Sequence, residues 1–141
     1  MYGTVEVIPL EKIISNDELY GDQGKASSLK AGVIKRICFR LYEDSSFITY
    51  DIDGVFKKYV NVEDGLSSPS IKRALLSFQT AYELNDSIMI EIAGLKRCAV
   101  VDSIEVNWVA DSCIVRYGLR DETDTVYYGI SEKLLVEWSE N

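Results

Sequence analysis

Between Leu84 and Trp138 the chain reads LNDSIMIEIAGLKRCAVVDSIEVNWVADSCIVRYGLRDETDTVYYGISEKLLVEW, with apolar and polar residues alternating in one short segment after another. Alternation at period two sends one set of side chains into a core and the other into water, which predicts strands. Ile88, Ile90 and Ile92 share one parity, and Gly94 bends the chain. A long second strand, Lys96 to Trp108, keeps Cys98, Val100, Ile104, Val106 and Trp108 on one side. Ala110-Asp111 turns into a third strand, Ser112 to Tyr117, and GLRDETD (Gly118 to Asp124) makes an acidic loop. Thr125 to Ile130 is the fourth strand, Ser131 to Leu134 a single 3₁₀ turn, and Leu135 to Trp138 a closing fifth strand.

Upstream, the same pattern is looser. Thr4 to Pro9 alternates, and Pro9 should end that strand or hold it at an edge. LEKIIS fits a helical turn or an extended segment, and Asn16 to Leu29 is a glycine- and serine-containing loop. A three-strand meander follows. Val33 to Tyr42 puts Ile37, Phe39 and Leu41 opposite Arg36 and Arg40, and Phe47 to Ile52 and Val55 to Val60 flank Asp53-Gly54. That dipeptide signals a type I′ hairpin, which would pair Ile52 with Val55, Tyr50 with Lys57 and Ile48 with Tyr59. Asp51-x-Asp53-Gly54 lacks the remaining ligands of a calcium loop and reads as the turn. After the connector EDGLSSPS, Ser68 caps and Pro69 opens a predicted helix whose buried stripe is Ile71, Ala74, Leu75, Phe78, Ala81 and Tyr82. The expected fold is therefore mainly β with one α-helix: a meander over 1–67, a packing helix over 68–83 and a small barrel over 84–141.

The 141 residues suit one domain or two small modules sharing a core, and 47% apolar with 27% charged residues is the balance of a soluble chain. No apolar run is long enough to span a bilayer and the N-terminus lacks a signal-peptide pattern, so a cytoplasmic protein without membrane contact is expected. Cys38, Cys98 and Cys113 sit inside apolar runs and read as free, buried thiols. Histidine is absent, which removes histidine triads and histidine-rich metal sites. No nucleophile elbow, phosphate-binding glycine loop or metal-ligand cluster is present, so neither catalytic residues nor cofactors are expected. The net charge of −8 is uneven: residues 1–82 hold 10 Lys+Arg against 11 Asp+Glu, and residues 83–141 hold 5 against 12. An acidic C-terminal half disfavours a phosphate-binding face there.

Five strands with a one-turn helix before the last resemble the SH3-like small-barrel superfamily, to which Tudor and KOW modules belong. The residues that carry the likeness are Ile88 to Ile92, Arg97 to Val106, Cys113 to Gly118, Val126 to Gly129 and SEKLLVEW. The resemblance implies a binding module, while Asp121-Glu122-Thr123-Asp124 departs from the basic loops of nucleic-acid-binding members. An echo also links the halves: GVIKRICF then ITYDIDGVFKKYVNVEDGL lies against GLKRCAVV then IVRYGLRDETDTVYYGISEKLL.

Tyrosine is in excess, nine against two tryptophans and four phenylalanines. Trp108, Tyr117, Tyr127 and Tyr128 fall on neighbouring strands, with Arg116 and Arg120 beside them and Asp121, Glu122 and Asp124 in the acidic loop. Aromatics that join apolar area to one polar end, rimmed by charge, suit a protein contact. The first expectation is thus a non-catalytic protein-binding module, such as a phage- or mobile-element-encoded inhibitor or adaptor acting on a host-defence protein, with acidity steering it to a basic partner. The second is nucleic-acid or nucleotide binding through Lys35, Arg36, Arg40, Lys57, Lys58, Lys72 and Arg73. A third is a structural, oligomer-forming component with open sheet edges.

Overall fold

Alternation along the chain becomes strand after strand, and the way they pair joins the two halves. The computed structural model describes residues 1–15, 31–55, 57–64 and 72–139. These form β1 (Tyr2–Val7), β2 (Ile13–Ser15), β3 (Ala31–Tyr42), β4 (Ser46–Gly54), β5 (Lys58–Glu63), β6 (Ala74–Gln79), β7 (Ser87–Ile92), β8 (Leu95–Val109), β9 (Ser112–Asp121), β10 (Val126–Ser131) and the helix α1 (Glu132–Ser139). The protein is mainly β. One antiparallel sheet runs β10-β9-β8-β3-β4-β5, with β2 added to β3 and β7 to β8, and β1 and β6 form a separate two-stranded ribbon. Phe78 of the ribbon packs on Phe39 and Trp108 of the sheet, with ring centroids 5.6 and 6.3 Å apart. A single cluster of buried apolar side chains spans both halves.

The expected helix over 68–83 is not formed where it can be seen. Ala74–Gln79 is β6, antiparallel to β1 with Gly3 opposite Phe78. Its stripe fits both periods, because Ala74, Leu76 and Phe78 also alternate. The edge of β1 resolves the choice, and Leu75, counted as core in the helical reading, is 70% exposed. Ser68, Pro69 and Ile71 lie outside the described residues, as does the loop expected at Asn16 to Leu29. The expected 3₁₀ turn and fifth strand are instead α1: Leu134 N–H donates to Ser131 Oγ at 3.2 Å, a cap that starts the helix. Leu135 is fully buried. The hairpin at Asp53-Gly54 is also displaced. Gly54 N–H donates to Lys57 O and Ile52 faces Tyr59, so the tight turn is Gly54 to Lys57. This seats Lys58 opposite Asp53, leaves Val55 exposed, and needs a bulge at Asn61, whose φ is 52°.

The halves repeat one plan in detail. Ile37 faces Tyr50 and Tyr50 faces Val62, as Ile104 faces Tyr117 and Tyr117 faces Ile130. Lys35 forms a bulge between Ile34 and Arg36, and Asp102 forms one between Val101 and Ser103. Asn61 and Gly129 carry matching left-handed bulges, at φ 52° and 64°. Glu11 N–H donates to Ile34 O, and Asn85 N–H to Val101 O, with Glu11 and Asn85 at φ 65° and 69°. In each unit a buried tyrosine ties the first strand to the sheet: Tyr50 OH accepts Ile8 N–H and donates to Asp64, while Tyr117 OH accepts Tyr82 N–H and donates to Glu132. Between the units the strand pairings join equivalent strands, β1 with β6 and β3 with β8, and Phe39 faces its own equivalent, Val106. That is two-fold pseudosymmetry. The second part of the sequence echo is therefore structural. The first is out of register, because the counterpart of Ile37 is Ile104 and not a residue of GLKRCAVV.

Candidate functional site

Each unit presents a concave surface bounded by its bulged strand, its outermost strand and the other unit's hairpin tip. In the first unit this is a cleft of about 670 Å³ whose walls include Lys35, Arg36, Asp51, Lys58 and Val60, closed by Val109 to Asp111 from the β8–β9 tip. In the second unit the corresponding surface divides into grooves of about 150 and about 510 Å³ that share Tyr42. The smaller runs past Arg40, Arg116, Gly118 and Tyr128, and the larger past Glu43, Asp44, Asp102 and Arg120. Ser103 faces Gly118 where the first unit has Arg36 facing Asp51. A Cβ on Gly118 would run into the Ser103 hydroxyl, so the second floor has space only for glycine and a small partner.

The residues expected to bind a partner separate into two groups. Trp108 and Tyr117 belong to the core, at 8% and 1% exposure, and offer no contact surface. Tyr117 OH also accepts from Ala81 N–H at 3.1 Å, while Glu132 accepts the hydrogen bond that the phenol donates and a second from Ala81 N–H at 2.7 Å. Burial, followed by the bond to Glu132, pushes the Tyr117 phenol well above its ordinary value. Asp121 is a buried organiser of the β9–β10 turn. It accepts Thr123 Oγ–H at 2.6 Å, Thr123 N–H at 2.8 Å, Thr125 N–H at 3.1 Å and Tyr127 O–H at 2.9 Å. The Thr123 hydroxyl above all, then Tyr127 and the two amides, hold its carboxyl at about 2. The spacing Asp-x-Thr was the available signal for this turn. Tyr127 is half-buried on the same carboxylate. The remaining residues lie at the surface: Tyr128 is 78% exposed, Arg116 is exposed, Arg120 sits 3.3 Å from Asp102, and Glu122 and Asp124 are exposed on the turn, outside the grooves.

Of the alternative cationic set, Lys35, Arg36 and Lys58 meet at the first cleft and the other four lie outside it. Arg36 pairs with Asp51 at 3.3 Å and with Glu105 at 3.6 Å, and Arg40 with Glu105 at 3.7 Å. Arg73 forks onto Asp64, both bonds at 3.0 Å. Lys57 Nζ stands 4.9 Å over the Tyr59 ring. Lys35 and Lys58 line the first cleft, and Lys72 is exposed just before β6. Sequence reasoning missed Tyr42, Glu43 and Asp44, which read as a strand end and its turn. Only the pairing of β3 with β8 carries that tip to the second unit's groove. Among the described residues, no group of three or more histidine, cysteine or acidic side chains is arranged to hold a metal ion. No family model, no curated protein and no solved structure matches the chain.

Proposed function

We propose that the chain is a non-catalytic protein-binding module, an inhibitor or adaptor of the kind phages and mobile elements direct at host proteins. Its partner occupies the grooves between the β3–β4 tip and β9–β10. One observation carries this reading: Tyr128 stands 78% exposed on the last strand of the sheet, beside Tyr42 and Arg116, with Glu43, Asp44 and Asp102 around them. Large aromatics and arginines supply most of the energy in protein contacts, and charge around them contributes to the choice of partner. A chain of net charge −8 is steered toward a basic surface. The SH3-like resemblance read from the sequence supports the same class of activity in its strands, though not in SEKLLVEW, most of which is α1. Nucleic-acid binding has less support, since Arg36, Arg40 and Arg73 already face carboxylates.

The test is affinity capture at low and moderate salt followed by alanine substitution. A stoichiometric basic partner is expected, and Tyr128→Ala should weaken it by about 2 kcal/mol or more, the cost of truncating a central interface aromatic. A Tyr42→Ala, Tyr128→Ala double variant that folds normally and keeps wild-type affinity would sink the reading.

A further inference from the structure

We propose that the cleft of the first unit is a second, independent binding site, and that it takes an extended peptide segment carrying charges of both signs around an apolar side chain. Repetition is the first reason. The cleft lies where the second unit has its grooves: Val60 stands at the place of Tyr128, Val109 at that of Tyr42, and Asp111 at that of Asp44. At about 670 Å³ the first unit's cleft is of the size that holds a short peptide or another compact ligand.

The kind of ligand follows from the walls. Lys58, Tyr59 and Val60 belong to β5, which ends the sheet, and among the described residues only β4 pairs with it. An extended chain laid along that edge gains main-chain hydrogen bonds and directs every second side chain into the cleft. The cleft's apolar contact surface comes from Leu10, Val60 and Val109, with Ile34 and Tyr59 buried beneath it. Its charges are unspent. Among the described residues, Lys35 and Lys58 have no carboxylate within ion-pair distance, and Glu11, Asp53 and Asp111 have no cation. Arg36 and Asp51 neutralise one another at 3.3 Å, which leaves these two lysines and three acids to meet a ligand of mixed charge.

The same comparison explains why the site differs from the grooves. At the bulge the first unit has Lys35 and the second Asp102, while on the next strand the first has Asp53 and the second Arg120. The signs are exchanged, so a charged segment matched to one surface is mismatched at the other. The chain then joins two different partners.

Amide chemical-shift mapping on the full chain tests this with a synthetic peptide alternating glutamate, valine and lysine. Saturable shifts are expected at Lys35, Lys58, Val60 and Ala110. A Lys35→Glu, Lys58→Glu double variant with an unchanged unfolding midpoint should bind about fivefold more weakly or worse, the effect of two exposed ion pairs. Absence of saturable shifts, shifts that map outside the cleft, or equal binding by the double variant would each overturn the proposal. So would a particle mass that rises with concentration until β5 is protected by a second copy. Peptide binding here does not depend on the grooves: if no basic partner exists but the peptide binds, only the reading of the grooves falls.

Discussion

At the scale of residues, two tyrosines hold the ribbon to the sheet, and their surroundings are unequal. Tyr50 OH accepts the N–H of Ile8, which is fully buried, at 2.9 Å. Removing the hydroxyl leaves that donor without a partner, and an orphaned buried N–H costs about 1–3 kcal/mol. Tyr117 serves Ala81 and Tyr82 at a wetter place, and Ala81 N–H keeps Glu132 at 2.7 Å if the phenol is lost. Tyr50→Phe is therefore expected to lower unfolding free energy by about 2 kcal/mol and Tyr117→Phe by about 1, read from urea denaturation. The reverse order would contradict this account. Asp121 supplies a pH effect whose sign follows from its four bonds. Its carboxyl is lowered from 3.8 to about 2, so the bonds favour the ionised, folded form. Their stabilisation is complete above the ordinary value and drains as pH falls from 3.8 toward about 2. Carboxyl titration by NMR should show Asp121 protonating near the bottom of that range, and amide protection of Thr123 and Thr125 should vanish with it. Asp121→Asn should remove the effect.

At the scale of elements, the informative case is β6. Its sequence ALLSFQ does not choose between helix and strand; the choice is made by Gly3, remote in sequence, opposite Phe78. A Cβ at Gly3 would lie 2.7 Å from Phe78 Cζ, and the ring has little freedom between Phe39 and Trp108. Gly3→Ala is thus expected to cost about 1–3 kcal/mol by overpacking, and Phe78→Leu in the same chain should recover part of it. Thermal unfolding of the single and double variants decides, and purely additive losses would count against the contact. This also explains which elements were legible in the sequence. The strands of both meanders show as period-two alternation because each has one wet face. The tip of the second hairpin was readable at Ala110-Asp111. By contrast, the turn after β4 and the helix α1 depend on a bulge at Asn61 and a cap at Ser131, each set by a single residue. The candidate site was readable only as a set of names. Tyr128, Arg116 and Arg120 stood in it beside Trp108 and Tyr117, and parity alone could not show that Phe78 would cover Trp108 or that Ala81 and Tyr82 would cover Tyr117.

At the scale of the whole molecule, the two pseudosymmetric units share one cluster of buried side chains. Both strand pairings between them, β1 with β6 and β3 with β8, join a strand to its own equivalent, as in a symmetric dimer joined into one chain. Phe39 and Val106 face each other across the seam, and Phe78 of the ribbon lies against Phe39. Separating the units would expose these side chains and strip β3 and β8 of their shared hydrogen bonds, a cost that no weak interdomain contact carries. Unfolding is therefore expected as one transition rather than two, although the sequence divides into a nearly neutral and an acidic half. The check uses two probes. Far-ultraviolet circular dichroism reports all strands, and fluorescence reports Trp108 at the seam and Trp138 on α1. Coincident urea midpoints with equal slopes would establish a single cooperative unit. Phe39→Ala sharpens the test, because it opens a cavity at the seam worth about 3–5 kcal/mol. In a single unit both probes shift together by that amount. If instead the fluorescence transition moved while part of the dichroism signal kept its original midpoint, the two units would be folding separately and the seam would be a docking contact.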